Sequence, residues 1–392
     1  MSYKSGRHFL QIPGPTNVPD RILRAIDRPV IDHRSAEFAQ LGQECLNGIK
    51  AVFQTASPVL ILPSSATGAW EAALANTLNP GDRILAFEVG HFAALWAKMA
   101  CNLGFRVDIV PGDWRHGVNL GELANALAND PGHEIKAVIA VHNETSNGVT
   151  TDIPAVRRTM DEAKHPALLM VDVVSSLGSI DYRHDDWRVD VAIGGSQKGL
   201  MLPPGLAFSA LSKRAMEANR QSKFPKSYWD WNSMLENNVR GFFPYTPATN
   251  LLYGLRESLH IFNEEGLSAV FARHARLAQA TRCAAQHWGL EIVAADPKEY
   301  SNTVTALFVP HGFQEQSLRS LILDKFNMAL GAGLGKLAGR AFRIGHIGDL
   351  NELMLAGTLC GVEMGLELAG IPHRAGGVNA ALGYLTAQAK TS

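Results

Sequence analysis

Two residues of this chain are of a kind that is costly to keep where they stand. Asp172 closes the apolar run Ala167-Leu168-Leu169-Met170-Val171, and Lys198 follows the run that begins at Val189-Asp190-Val191 and ends at Ser196-Gln197, 26 positions further on. A carboxylate at the end of one buried strand and a lysine just past another meet the needs of pyridoxal-phosphate chemistry. The lysine amine condenses with the cofactor aldehyde, and the carboxylate pairs with the protonated ring nitrogen so that the ring can accept electrons. Flanked by small residues, a lysine in such a place is expensive unless paired or used.

Other constellations surround this pair. Ser64-Ser65-Ala66-Thr67-Gly68 follows an apolar strand and opens a helix. Small residues there expose backbone N–H groups at the positive end of a helix dipole, which makes either a phosphate cradle or an ordinary capped turn. Phe92, two residues after Gly90, can stack on a flat ring or sit in the core. His142-Asn143-Glu144-Thr145-Ser146-Asn147-Gly148 is a polar cluster straight after an apolar strand, in which Thr145 can donate to a phenolic oxygen or simply join a loop network. Phe342-Arg343-Ile344-Gly345-His346 sets one arginine in a short apolar strand. Its guanidinium needs a carboxylate, either a substrate's α-carboxylate or an internal partner. The 14 histidines show no HExxH or paired-ligand spacing, so no metal site is expected. No GxSxG elbow supports a hydrolase.

The elements that must position these residues are legible as an alternation. Seven apolar stretches read as strands: 58–63, 83–88, 106–111, 136–142, 167–174, 189–196 and 206–211. Most are continuously apolar, as in strands buried on both faces. Helical stretches lie between them, at 67–78, 92–103 and from Asp152 to Lys164. Strand–helix alternation predicts an α/β fold with an open, mostly parallel, seven-stranded sheet, whose ligands bind at the carboxyl ends of the strands. Long amphipathic stretches follow at 251–263 and 267–288. Then come β-like segments at 290–294 and 304–309, a helix at 314–326, a glycine-rich loop through Gly331, Gly333, Gly335 and Gly339, and a final helix at about 350–369. These predict a smaller C-terminal α+β domain. The expected organisation is an extended N-terminal segment over 1–20, a large domain over 21–265 and a small one over 266–392, with the Pro-rich stretch 11–30 also read as extended. The N-terminal segment is expected against the small domain or a partner subunit.

With Lys plus Arg at 36, Asp plus Glu at 37 and a net charge of −1, nothing points to nucleic acid. No apolar run approaches the roughly 20 residues of a membrane span. Four scattered cysteines (Cys45, Cys101, Cys283, Cys360) without CxxC read as buried free thiols of a reducing compartment, hence a cytoplasmic location.

Taken together, the chain resembles the class V, fold-type I pyridoxal-phosphate aminotransferases, and within them the serine–glyoxylate and alanine–glyoxylate branch. The segments that carry the resemblance include Pro13-Gly14-Pro15-Thr16-Asn17, Asp32-His33-Arg34-Ser35 and Thr67-Gly68-Ala69-Trp70-Glu71. They continue through Val141-His142-Asn143-Glu144, Gly195-Ser196-Gln197-Lys198, Pro244-Tyr245-Thr246-Pro247 and Phe342-Arg343-Ile344-Gly345-His346. The resemblance implies pyridoxal 5′-phosphate attached at Lys198, with Asp172 on the ring nitrogen, Thr145 on the ring hydroxyl and Phe92 stacked on the ring. Ala66, Thr67 and Gln197 would hold the phosphate. Thr246 would reach it from the other subunit of a homodimer. Arg343 and the backbone at Gly14 would grip the substrate carboxylate. The implied reaction passes an amino group from L-serine or L-aspartate to glyoxylate, with L-alanine as an alternative donor. A dicarboxylate donor needs a second cation, for which Arg34 and Lys336 are candidates. Two departures from the family pattern stand out: Phe243 where some relatives carry a phosphate-binding tyrosine, with Tyr245 nearby as a substitute, and Ala66 where glycine is usual. A cysteine-desulfurase-like lyase would need a nucleophilic cysteine before Arg343. The loop Gly331–Gly339 holds none, and Cys360 lies beyond it.

Overall fold

In the computed structural model, residues 5–390 are described; Met1–Lys4, at the head of the expected N-terminal segment, and Thr391–Ser392 lie outside them. All seven expected strands form one sheet. Its order is Val59–Leu62, Ala207–Leu211, Val191–Gly195, Leu168–Asp172, Ile135–Val141, Arg83–Phe87, Arg106–Val110. Ala207–Leu211 runs antiparallel to both neighbours, and every other pairing is parallel. The continuous apolarity has a direct cause. Along Leu168–Asp172, Leu169 and Val171 enter the core on one face while Met170 enters the core on the other, the period-2 alternation of a strand covered on both sides.

The helices begin where their caps dictate. The Asp152 carboxylate accepts the Ala155 N–H at 2.9 Å and opens Ile153–Glu162, and Ser35 does the same for Ala36–Phe53 through Phe38 N–H. The first helix after the sheet's edge strand, Ala66–Thr77, starts at Ser65 with no side-chain cap. Its opening N–H groups are left to another acceptor.

A second sheet of four strands, Phe9–Gln11, Met328–Ala332, Ala341–Gly345 and Val304–Phe308, has its own core with the helices that follow Gly266. Four expectations need correction here. The Pro-rich stretch over 11–30 is not extended throughout: Asp20–Ile26 is helical, burying Ile22, while the segment before it is extended at Phe9–Gln11, which pairs in parallel with Met328–Leu330. The β-like stretch at 290–294 contributes only a bridge between Ile292 and Leu307. Part of the expected glycine-rich loop is strand, since Gly331 lies within Met328–Ala332. A Cβ there would come within 2.9 Å of Pro13 Cδ and 3.0 Å of Arg343 Cβ, so glycine marks a close approach rather than a loop. The helix Glu352–Leu368 is not the last, because Gly377–Ala389 follows and packs on Leu267–Trp288. Gly377 sits so close to Trp288 that a Cβ would lie 2.2 Å from its Nε1.

Candidate active site

The carboxyl ends of the central strands converge as parallel α/β topology requires. Asp172 is the last residue of its strand, opposite Val141 on one side and Ile193 on the other. Lys198 lies in the turn that leaves Val191–Gly195. Both line one cavity of about 240 Å³, together with Gly14, Ala66, Thr67, Trp70, Phe92, Thr145 and Gln197. Eight of the residues proposed from sequence for cofactor and substrate therefore meet at one place.

Asp172 is buried and receives one hydrogen bond on each oxygen. Val174 N–H donates to Oδ1 and the Trp70 indole to Oδ2, both at 2.8 Å. Burial still dominates and pushes its carboxyl up to about 7; the two donors hold it down, and Glu144 pushes it further up. Lys198 is 8% exposed. Burial, and then the Arg343 guanidinium, press its amine down to about 7 against the opposing pull of Asp172 and Glu144. Its Nζ donates to the Pro13 carbonyl. The segment bearing Pro13 is tied to the lysine's turn twice more, as Thr16 N–H donates to Gln197 O at 3.1 Å and Thr16 Oγ1 to Lys198 O at 3.2 Å. This contact was not legible in sequence, because it joins residues some 185 positions apart.

Arg343 comes from the second sheet. Its Nε donates to Ala332 O at 2.7 Å and its Nη1 to Thr145 O at 2.9 Å. Among the described residues no carboxylate lies within ion-pair distance and Nη2 has no protein partner, so the internal salt bridge is not made. Burial lowers its guanidinium to about 10. Thr145 is thereby held from behind by the arginine while it lines the cavity.

Two contributors carried no role in the sequence reading. Glu144 is completely buried, and its Oε2 accepts the N–H groups of Phe92 and Ala93 at 3.1 Å each. It thus caps His91–Asn102 from outside the helix and fixes where Phe92 stands. Its other oxygen takes Ser146 N–H at 3.0 Å and Oγ–H at 2.7 Å. Trp70 is the second, through its bond to Asp172. Both residues sit inside quoted motifs, and burial of a carboxylate beside an apolar strand end was the available signal.

Ala66 is the first residue of its helix and has no positive φ, so its Cβ costs nothing there. Gln197 Oε1 is buried without a protein partner. Thr246 and Arg34 are not brought to the Lys198 cavity. They line a separate, wider one of about 800 Å³ with Phe243 and Tyr245. Tyr245 spends its hydroxyl proton on Ser227 O at 3.0 Å and stacks on Tyr228, while Phe243 packs edge-on to Phe38. Lys336 is paired with Glu88 at 2.7 Å. The cysteines are not all buried as expected: Cys45 is, but Cys283 is half-buried and Cys101 and Cys360 stand exposed on helix surfaces, and none lines the Lys198 cavity.

A large, mostly parallel sheet joined to a smaller α+β unit, with a buried lysine and carboxylate at its strand ends, defines a fold-type I transferase. The model of the aminotransferase class-V family matches residues 8–337, and the chain belongs to that family of enzymes. It is 48% identical over 386 residues to the serine–glyoxylate aminotransferase of Arabidopsis thaliana, covering 98% of this chain and 96% of the relative. It is 46% identical over 372 residues to the L-aspartate–glyoxylate aminotransferase of Paracoccus denitrificans (strain Pd 1222), covering 94% of each. Among solved structures, pyridoxamine–pyruvate aminotransferase from Mesorhizobium loti superposes with a TM-score of 0.92 at 26% identity, over 99% of this chain and 100% of that one. Ureidoglycine–glyoxylate aminotransferase from Bacillus subtilis gives 0.89 at 26%, over 98% and 100%.

Proposed function

We propose that this aminotransferase works with pyridoxal 5′-phosphate and passes the amino group of L-serine or L-aspartate to glyoxylate, leaving glycine and hydroxypyruvate or oxaloacetate. The single observation that carries the reading is the meeting of Lys198 and Asp172 in one buried cavity, beside an arginine whose partners are backbone carbonyls. The relatives named above support the choice of glyoxylate and of these two donors. L-alanine is a third donor to be compared.

The cavity residues fit the cofactor. The uncapped start of Ala66–Thr77 leaves N–H donors for a phosphate, in the same cavity that the Gln197 side chain lines. Bound there, the cofactor would supply an aldehyde for the lysine and a protonated ring that takes up the electron pair released at the substrate Cα. Lys198, with its amine near 7, is substantially neutral at neutral pH, so it can act as a nucleophile and then carry a proton. With the cofactor bound, Asp172 would hold the ring-nitrogen cation, Phe92 would cover the ring, and the Thr145 hydroxyl would donate to the ring oxygen. Nη2 of Arg343, with the backbone at Gly14, takes the carboxylate common to serine, aspartate and glyoxylate. Thr246, with Arg34 beside it in a cavity of their own away from Lys198 of the same chain, would serve the other subunit of a homodimer. With no cysteine at the cavity, desulfuration lacks its nucleophile.

The test is a panel of amino donors with glyoxylate, following 2-oxo acid and glycine together. Serine or aspartate should lead the panel, and Lys198→Ala should abolish turnover in a folded protein. Equal rates with pyruvate and glyoxylate as acceptor, or residual transamination in Lys198→Ala, would overturn the reading.

A further inference from the structure

Asp172 meets one donor on each oxygen, and the two differ in origin. The Val174 N–H is backbone and would be present with any side chain at 174. The Trp70 indole is a choice of residue. An indole N–H donates and never accepts, so it favours only the state in which Oδ2 is bare. The ring cannot drift. It is 2% exposed on Ala66–Thr77 and stacks on Trp96 with centroids 5.7 Å apart and planes 13° apart. Trp96 is a built-in contrast, being equally buried but with no partner for its Nε1.

We propose that Trp70 is a positioning residue for amino transfer, its indole N–H keeping Oδ2 of Asp172 deprotonated and fixed at the cavity wall for the ring-nitrogen cation. The inference rests on the cofactor reading above. The need for such a donor is plain from the site. Burial and the Glu144 carboxylate both press Asp172 towards the neutral acid, to a midpoint near 7 even with the indole in place. Removing a donor that favours the charged form raises the midpoint further. That moves Asp172 further towards the neutral acid, which holds a cation less well than the carboxylate does.

The experiment compares Trp70→Phe, which keeps a stacked ring and deletes the N–H, with Trp96→Phe, which deletes an N–H that has no partner. In the full-length protein, the infrared C=O band of protonated Asp172, identified by its absence in Asp172→Asn, reports the midpoint. Trp70→Phe should move it up by about one to two pH units, as expected for losing a hydrogen bond to a charged acceptor. Trp96→Phe should leave it in place. Affinity for pyridoxamine 5′-phosphate should weaken about tenfold or more in Trp70→Phe at neutral pH and recover as pH rises. An unmoved midpoint in Trp70→Phe, or an equal shift in Trp96→Phe, overturns the proposal. Asp172→Asn binding pyridoxamine 5′-phosphate as the wild type does would instead overturn the cofactor role of Asp172. The infrared midpoint distinguishes that failure from a failure of the Trp70 contact. Should Trp70→Phe not fold, the wild-type protein decides. Its seven tryptophan indole N–H resonances can be assigned through variants at the other six. That of Trp70 should titrate through the Asp172 midpoint, and an unmoved resonance overturns the proposal.

Discussion

A Cβ on Gly14 would lie 2.4 Å from Cδ of Lys198 and 2.7 Å from its Nζ. Gly14 also holds φ at +117°, in the region that side chains avoid. The glycine is therefore what allows the N-terminal segment to cross directly over the lysine. Gly14→Ala should displace the Lys198 amine and cut turnover by at least about two orders of magnitude, the size of effect that misplacing a reacting group by 1 Å produces. The large sheet does not depend on Gly14, so circular dichroism should stay close to that of the wild type. Near-normal turnover would mean that the segment moves aside freely.

The Arg343 guanidinium has Nε and Nη1 already committed to Ala332 and Thr145, which leaves Nη2 for the carboxylate proposed above. Lysine cannot serve all three positions. Arg343→Lys should cost about 2–5 kcal/mol in kcat/KM, as when one partner of a desolvated pair is lost. The loss should fall on donor and acceptor half-reactions alike. Impairment of only one half-reaction would make Arg343 a reader of one substrate's side chain.

Thr246 and Arg34 can be tested for action across subunits by mixing. A dimer of one Lys198→Ala subunit and one Arg34→Ala/Thr246→Ala subunit retains one intact site if these residues reach across, and none if they act within their own chain. Co-expression should therefore restore activity that neither homodimer has. Mixed dimers as inactive as their parents would make both residues act within their own chain, and an active Arg34→Ala/Thr246→Ala homodimer would place them outside the reaction.

The donor question turns on a second cation. Lys336 is engaged by Glu88 at 2.7 Å, whereas the Arg34 guanidinium has no carboxylate partner among the described residues. Arg34→Ala should raise KM for L-aspartate well above its effect on L-serine. Equal effects on both donors would make its role general to the site.

Acid should destabilise the fold early. Burial lowers His142, His184 and His274 to about 4 and His346 to about 3, all from 6.5. As pH falls below 6.5 the unfolded chain binds protons that the folded chain refuses. Each histidine then removes about 1.4 kcal/mol of stability per pH unit until its folded value is reached. Asp172 and Asp190, whose folded values are raised by burial, take up protons in the native state and oppose this. A net loss of about 2–4 kcal/mol per pH unit is expected between pH 6 and pH 5. A thermal midpoint unchanged over that interval would contradict it.

The sequence by itself determined the seven strands, their order of alternation with helices, and the two residues at the strand ends. A strand buried on both faces must be continuously apolar, so Asp172 and the turn bearing Lys198 stand out against it. Local turn chemistry likewise announced the starts of Ile153–Glu162 and Ala66–Thr77. The tertiary structure alone decided what those side chains meet. The Trp70 indole reaches Asp172 across 102 positions, and Lys198 reaches the Pro13 carbonyl across 185. Such contacts depend on how sheets and helices stack, and no periodicity encodes them. The same limit explains Gly331, a close approach to Pro13 and Arg343 that reads as a loop in isolation. It also explains Phe9–Gln11, too short to register until Met328–Ala332 offers it an edge. Arg34 and Thr246 stand apart from Lys198 for the same reason: their distance from it within one chain is set by packing, and no motif spacing could reveal it.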